Sequence, residues 1–172
     1  IPGWLKSRPL PGELYSYSDN KRLGYSIKVN GVEAEGTVTE DGYFTIPRKW
    51  KKGDEVTIHF DMEPRTVRAS EKVEADRGMV SIERGPIVYC AEWPDNKFDI
   101  KSVLINQNPE FTLEQRSLDA FIPEASKAKL NTYKTQNITT LTTDAQTLAF
   151  DKQGKLTTQE VKLTLIPYYA WC

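Results

Sequence analysis

The chain has 172 residues, 38% of them hydrophobic and 27% charged, with a formal net charge of -1. This is a globular composition, long enough for one large domain or two small ones. The balanced charge argues against nucleic acid and acidic membrane surfaces, which need a basic footprint. No apolar run approaches the ~20 residues of a membrane span.

The chain opens on Ile1-Pro2-Gly3-Trp4 and closes on an apolar run ending at Cys172. Both ends read as cut from something longer. The dominant period in between is two, the signal of strands. Tyr25, Ile27 and Val29 alternate with Ser26 and Lys28, and Asn30-Gly31 follows as a hairpin turn. Val32-Glu33-Ala34 returns. Asp41-Gly42 and Lys52-Gly53-Asp54 mark two further turns, with a strand over Tyr43 to Ile46 between them. Val56, Ile58 and Phe60 then face one way and Thr57, His59 and Asp61 the other, completing a half-buried antiparallel meander.

Pro, Arg and Glu accumulate between Met62 and Gly78, where the reading places a boundary. Val67 and Ala69 form a weak strand. Val80 and Ile82 alternate with Ser81 and Glu83, and Arg84-Gly85-Pro86 breaks the chain. Ile87 to Ala91 is nearly continuous apolar, as in a central strand covered on both faces. Phe111 to Ile122 allows one short helix or turn, and Asn131 to Thr143 reads as an exposed strand or loop. Val161, Leu163 and Leu165 alternate cleanly with Lys162 and Thr164. The expected fold is all-β: an antiparallel β-sandwich in two small units, residues 1–64 and 65–172, the first of them truncated.

Residue types for chemistry are few. The single histidine, His59, lies on the polar face of its strand, where it reads as solvated. Cys90 and Cys172 are too few for a disulfide scaffold; sequence leaves open whether they pair or remain half-buried thiols. Neither lies at a nucleophile elbow, and Cys90 sits in the most apolar strand, where burial raises a thiol pKa. No Gly-rich phosphate loop is present. Glycosidases need only two carboxylates about 5–10 Å apart, and Glu40, Asp41, Glu83, Glu92 and Asp95 can be nominated, though nothing separates them from surface charge. Asn137-Ile138-Thr139 fits a glycosylation sequon, which matters only in a eukaryotic secreted protein. The aromatic residues carry more. Trp4, Trp50, Trp93 and Trp171 suit a core, a seam to further protein, or stacking on sugar rings, and Trp4 and Trp171 at the two ends favour the seam.

Several blocks in order resemble one family. They are Ile1-Pro2-Gly3-Trp4, Val29-Asn30-Gly31, the stretch from Gly42 through Trp50 to Asp54, Ser81-Ile82-Glu83-Arg84-Gly85-Pro86-Ile87-Val88-Tyr89-Cys90-Ala91-Glu92 with Asp95-Asn96 after it, and Ile166-Pro167-Tyr168-Tyr169-Ala170-Trp171. Together they resemble the C-terminal part of glycoside hydrolase family 127, the β-L-arabinofuranosidase-like enzymes. That resemblance implies a bacterial enzyme of carbohydrate metabolism, built of an (α/α)₆ catalytic barrel followed by two β-sandwich domains. Its cysteine nucleophile, acid/base carboxylate and zinc site lie upstream of the Ile-Pro-Gly-Trp block. No catalytic or metal residue therefore carries over to this chain, and no cofactor is expected in it, although the parent family uses zinc.

By the resemblance, the chain is a non-catalytic accessory region that braces the barrel and carries domain or subunit contacts. Residues 1–64 would be a middle sandwich lacking its first strands, which would leave a ragged unit or one paired with a second copy. The alternative is a carbohydrate-binding module. The residues nominated for sugar or domain contact are Trp4, Trp93, Asp95, Asn96 and Trp171. The implied partners are the barrel of the same polypeptide, a second copy and a glycan, with no nucleic acid and no membrane. The implied location is the periplasm or cytoplasm of a bacterium.

Overall fold

The computed structural model describes residues 1–5, 9, 12–121 and 136–171. It is all-β, 45% strand, with no helix as long as seven residues, and every paired strand is antiparallel. Two compact units divide it. The first comprises Ile1–Val80 and Arg84–Pro86, the second Ser81–Glu83 and Ile87–Cys172.

The first unit contains β1 (Tyr15–Tyr17), β2 (Tyr25–Val29), β3 (Val32–Glu33), β4 (Thr37–Val38), β5 (Phe44–Thr45), β6 (Val56–Phe60) and β7 (Pro64–Ala69). β3, β2 and β6 form one small sheet, β4 pairs β5, and β1 pairs β7. The expected Asn30-Gly31 turn joins β2 to β3. Both residues have positive φ, 53° and 79°, as a type I′ turn requires. Asp54 locks the neighbouring loop, accepting from Asn30 Nδ2 at 2.8 Å, Lys51 N at 2.8 Å and Arg48 at 3.1 Å.

Only half of the expected meander is buried. Ile27 and Val29 of β2 are enclosed, but Val56 and Ile58 opposite them on β6 are 43% and 52% exposed. Alternation alone cannot tell a covered face from an uncovered one. β6 is an outer strand of its sheet among the described residues. β7 is stronger than its sequence suggested: Arg65, Thr66 and Val67 are all buried. It lies within the stretch read as a boundary and groups with the first unit.

The second unit is built on β8 (Val80–Arg84), β9 (Ile87–Cys90), β10 (Val103–Ile105), β11 (Thr112–Ser117), β12 (Asn137–Phe150) and β13 (Leu156–Pro167). β8, β9, β13 and β12 follow in sheet order, and β10 and β11 both pair with β12. The long β12–β13 hairpin is the spine. Its buried residues change parity at Thr140–Leu141. Ile138 belongs to one core cluster with Leu118, Phe121, Ile166 and Ala170. From Leu141 onward the buried positions are Leu141, Thr143, Ala145 and Thr147, with Leu163 and Leu165 across from them. Outward positions carry pairs instead: Lys162 to Asp144 at 2.7 Å and Gln146 to Glu160 at 2.6 Å.

The short helix or turn expected within Phe111 to Ile122 is the 3₁₀ turn over Leu118–Ala120, and strand β11, which was not expected, precedes it; Ile122 lies outside the described residues. Two expectations are corrected here. The Thr-rich stretch is not exposed, for Thr140 is 0% accessible. Threonine suits a buried strand when its hydroxyl finds an acceptor, and Thr140 donates to Glu114 O at 3.2 Å while Thr147 shares a 2.8 Å bond with Ser102. Positions 131–135 of that stretch lie outside the described residues. β9 is central in its sheet but covered on one face only, since Val88 is 43% exposed.

Candidate functional site

The loop after β9 gathers most of the nominated residues. Burial ordinarily needs an apolar side chain, yet Asn96 in this loop is 2% exposed. The reason is hydrogen bonding. Its Nδ2 donates to Glu92 O at 2.8 Å and Thr164 O at 3.0 Å, and its Oδ1 accepts from Thr164 N at 2.9 Å. An amide carries the same donor and acceptor as a peptide, so Asn96 pairs with β13 as a strand residue would. Trp93 is thereby held outward, 58% exposed.

Two carboxylates flank Trp93. Glu92 Oε1 and Asp95 Oδ2 are shut off from solvent without a hydrogen-bond donor among the described residues. Burial raises the Glu92 pKa above its usual 4.5, and the charge of Asp95 adds to the rise. Burial also raises that of Asp95, against the opposing charge of Arg116. Cys90, at the end of β9, sits in the same field. Burial first, then Glu92 and Asp95, push its thiol up to about 11, and it points toward Ile166 O at 3.7 Å. A thiol so held is protonated at neutral pH and is a poor nucleophile. Glu92→Gln is expected to raise the thermal midpoint at pH 7 and to leave it unchanged near pH 4. A raised carboxylate pKa means the folded state loses stability as pH climbs through it, and glutamine removes that loss. An equal effect at both pH values would contradict this.

The remaining tryptophans lie elsewhere. Trp171 follows β13 and stacks on Tyr168, ring centres 5.8 Å apart; both are exposed. Trp4 belongs to the first unit and meets Phe60 edge-on at 5.7 Å. Trp93, Asp95 and Asn96 thus share one loop, and Trp4 and Trp171 are not part of it.

Cys90, Glu92 and Asp95 form no metal-holding group, nor do any three His, Cys, Asp or Glu among the described residues. Cys172, and with it the question of a Cys90–Cys172 pair, lies outside the described residues.

Sequence reading did not single out Arg116, which faces Asp95 and lies 4.7 Å over the Phe121 ring. It also missed Arg65. Arg65 is buried over the Tyr17 ring at 3.5 Å and bonded to Asp19 at 2.5 Å. The only signal was a charged residue inside a weak strand pattern, which reads equally well as surface.

Comparison with known proteins adds the following. Residues 1–62 match the family described as "Beta-L-arabinofuranosidase, GH127 middle domain", and residues 64–172 match "Glycoside hydrolase family 127 C-terminal domain". A "Non-reducing end beta-L-arabinofuranosidase" of Bifidobacterium longum subsp. longum is 35% identical over 100 residues, covering 58% of this chain and 13% of that protein. A solved structure titled as the GH127 β-arabinofuranosidase BT3674 is 53% identical with a TM-score of 0.83, covering 99% of this chain and 24% of its own. That of Ara127N-Se, a GH127 β-L-arabinofuranosidase from Geobacillus stearothermophilus T6, is 26% identical with a TM-score of 0.65, covering 87% and 22%. The chain therefore spans about a quarter or less of each relative.

Proposed function

Because the chain belongs to glycoside hydrolase family 127, matching that family's middle and C-terminal domains, we propose that it is a non-catalytic accessory region bracing the catalytic barrel of a β-L-arabinofuranosidase-like enzyme. The observation that carries this reading is a set of exposed apolar residues at the two edges of the first unit's small sheet. Val32 and Val56 flank Val29 across the β3-β2-β6 sheet, and Ile58 sits beside Ile27. Val32, Val56 and Ile58 are all exposed. Scattered apolar residues are normal on a surface, but Val56 and Ile58 stand together on one face of the outer strand β6, as residues of a contact face do. The half-buried thiol of Cys90, whose pKa burial and the neighbouring carboxylates raise to about 11, supports the non-catalytic half of the reading.

The partner on this reading is the remainder of the same polypeptide, with a second copy as a further contact. The location is the periplasm or cytoplasm of a bacterium; among the described residues no helix is long and apolar enough to cross a membrane. A second reading, glycan binding, is favoured by Trp93, which stands exposed in the loop after β9.

Deletion of the corresponding region from the full-length relative that shares 53% identity tests bracing. The midpoint of thermal unfolding should fall by roughly 10 °C or more, and turnover should fall with it. A deletion protein that keeps both would overturn the proposal.

A further inference from the structure

Asn-Gly occurs once in the chain, at Asn30-Gly31. Glycine leaves the backbone nitrogen that follows asparagine unhindered, and that nitrogen can attack the side-chain amide. The other asparagines precede Lys, Gln, Pro, Thr or Ile. Those side chains crowd the same nitrogen, and proline leaves it no proton to lose. A β-carbon on Gly31 would meet nothing within 4 Å, and both residues of the pair are exposed, so water reaches them.

The fold nevertheless grips Asn30. Its backbone N donates to Glu55 O at 2.9 Å, its Oδ1 accepts from Glu55 N at 2.9 Å, and its Nδ2 donates to Asp54 Oδ1 at 2.8 Å. The last of these has a charged acceptor and belongs to the stronger class of hydrogen bond. Attack by Gly31 requires Asn30 Cγ to swing onto the Gly31 nitrogen, so both side-chain bonds must be given up first.

The same clasp organises a loop. Asp54, its side chain only 9% exposed, also accepts from Lys51 N at 2.8 Å and from Arg48 at 3.1 Å. Arg48 in turn lies 5.0 Å over the Trp50 ring. The hydrogen bond from Asn30 is the first cause that holds the Asp54 carboxyl below its usual 3.8. A carboxylate at position 30 would replace that donor with a second negative charge.

We propose that Asn30 is a deamidation site held closed by the fold, and that its conversion releases the loop from Arg48 to Asp54. The Gly31 nitrogen loses its proton to water and bonds to Asn30 Cγ. The Cγ–Nδ2 bond breaks, ammonia leaves and a succinimide ring closes. Water then opens the ring at either carbonyl, leaving aspartate or isoaspartate. Nothing is oxidised or reduced, and water is the co-reactant. Aspartate faces Asp54 with an acceptor, and isoaspartate also lengthens the backbone of a two-residue turn. The inference does not depend on the bracing role.

The test uses the whole 172-residue chain, incubated at mildly alkaline pH both folded and in urea. Peptide mapping by mass spectrometry reads conversion as a gain of about 1 Da at Asn30. Folded wild type should convert at least ~10-fold more slowly than the chain in urea, and folded Asp54→Ala at least ~5-fold faster than folded wild type, as loss of a hydrogen bond to a charged group allows. Asn30→Asp copies the product directly. Its Lys51 amide should exchange with solvent at least ~5-fold faster than in wild type, with the amides of β12 unchanged. If Asp54→Ala loses a dispersed spectrum, the ratio of folded to urea rates and the Asn30→Asp exchange decide the matter. Equal rates folded and in urea, a folded Asp54→Ala no faster than wild type, or unchanged Lys51 exchange in Asn30→Asp would overturn the proposal.

Discussion

Replacing Asn96 with alanine is expected to destabilise the chain by about 2–3 kcal/mol. The residue makes no apolar contribution that alanine would forfeit; its effect comes from three hydrogen bonds to backbone. Alanine leaves Thr164 N–H, Thr164 C=O and Glu92 C=O without these partners in a region that solvent reaches poorly. Denaturant unfolding at constant slope would show the loss as a lower midpoint. Asn96→Asp separates the parts, since a carboxylate still accepts from Thr164 N but cannot donate to either carbonyl. It should fall between wild type and alanine. A change under about 0.5 kcal/mol in the alanine variant, the range of an ordinary surface substitution, would show that Asn96 does not hold β13.

Asp19→Ala is expected to cost about 3 kcal/mol, near the lower end of what removing one partner of a buried ion pair costs. Arg65 is the reason. Its side chain is 2% exposed, whereas that of Asp19 is 32% exposed. The guanidinium reaches Asp19 through Nε and one terminal nitrogen, donates to Lys21 O at 2.9 Å, and lies over Tyr17. Without Asp19 a buried cation keeps only a carbonyl and a ring. The double variant Asp19→Ala/Arg65→Met should recover to within about 1 kcal/mol of wild type, because both charges leave together. A double variant no better than the single would mean that packing, not charge, sets the cost.

The same pair fixes a pH dependence. Burial alone would raise the Asp19 pKa, but the hydrogen bond from Arg65, the N–H of Lys21 and the charges of both outweigh it and hold the carboxyl below its usual 3.8. A carboxylate with a depressed folded pKa stabilises above its unfolded value, and that stability is lost as pH falls through the folded pKa. The advantage of wild type over Asp19→Ala should therefore shrink on acidification below about pH 4. It should stay constant through neutral pH.

Much of the fold was legible because local rules sufficed. Asn30-Gly31 fixes its turn by backbone conformation alone, and the alternation of Val161, Leu163 and Leu165 matches β13, where Val161 is half-buried and Leu163 and Leu165 are buried. What was not legible depended on partners far along the chain. Thr140 looks polar until Glu114, 26 residues away, supplies an acceptor. Val56 and Ile58 look like core until the sheet is seen to end at β6. Val88 shows that an unbroken apolar run does not prove two covered faces.

The candidate site follows the same division. Trp93 could be named from the sequence as an exposed aromatic residue. Asn96 could be placed beside it, but its commitment to Thr164 arises only when β13 returns from 68 residues away. The raised pKa values of Glu92 and Asp95 have the same origin, since burial is a property of the fold. Family blocks located the chain within a larger enzyme.

The proposed accessory role requires that the chain not turn over substrate by itself. It is tested most directly by assaying the purified chain on an aryl β-L-arabinofuranoside beside a full-length family member. The account predicts no release of the aryl group above the buffer blank by the chain, with turnover by the full-length enzyme. Hydrolysis that rises in proportion to the concentration of the chain alone would contradict it.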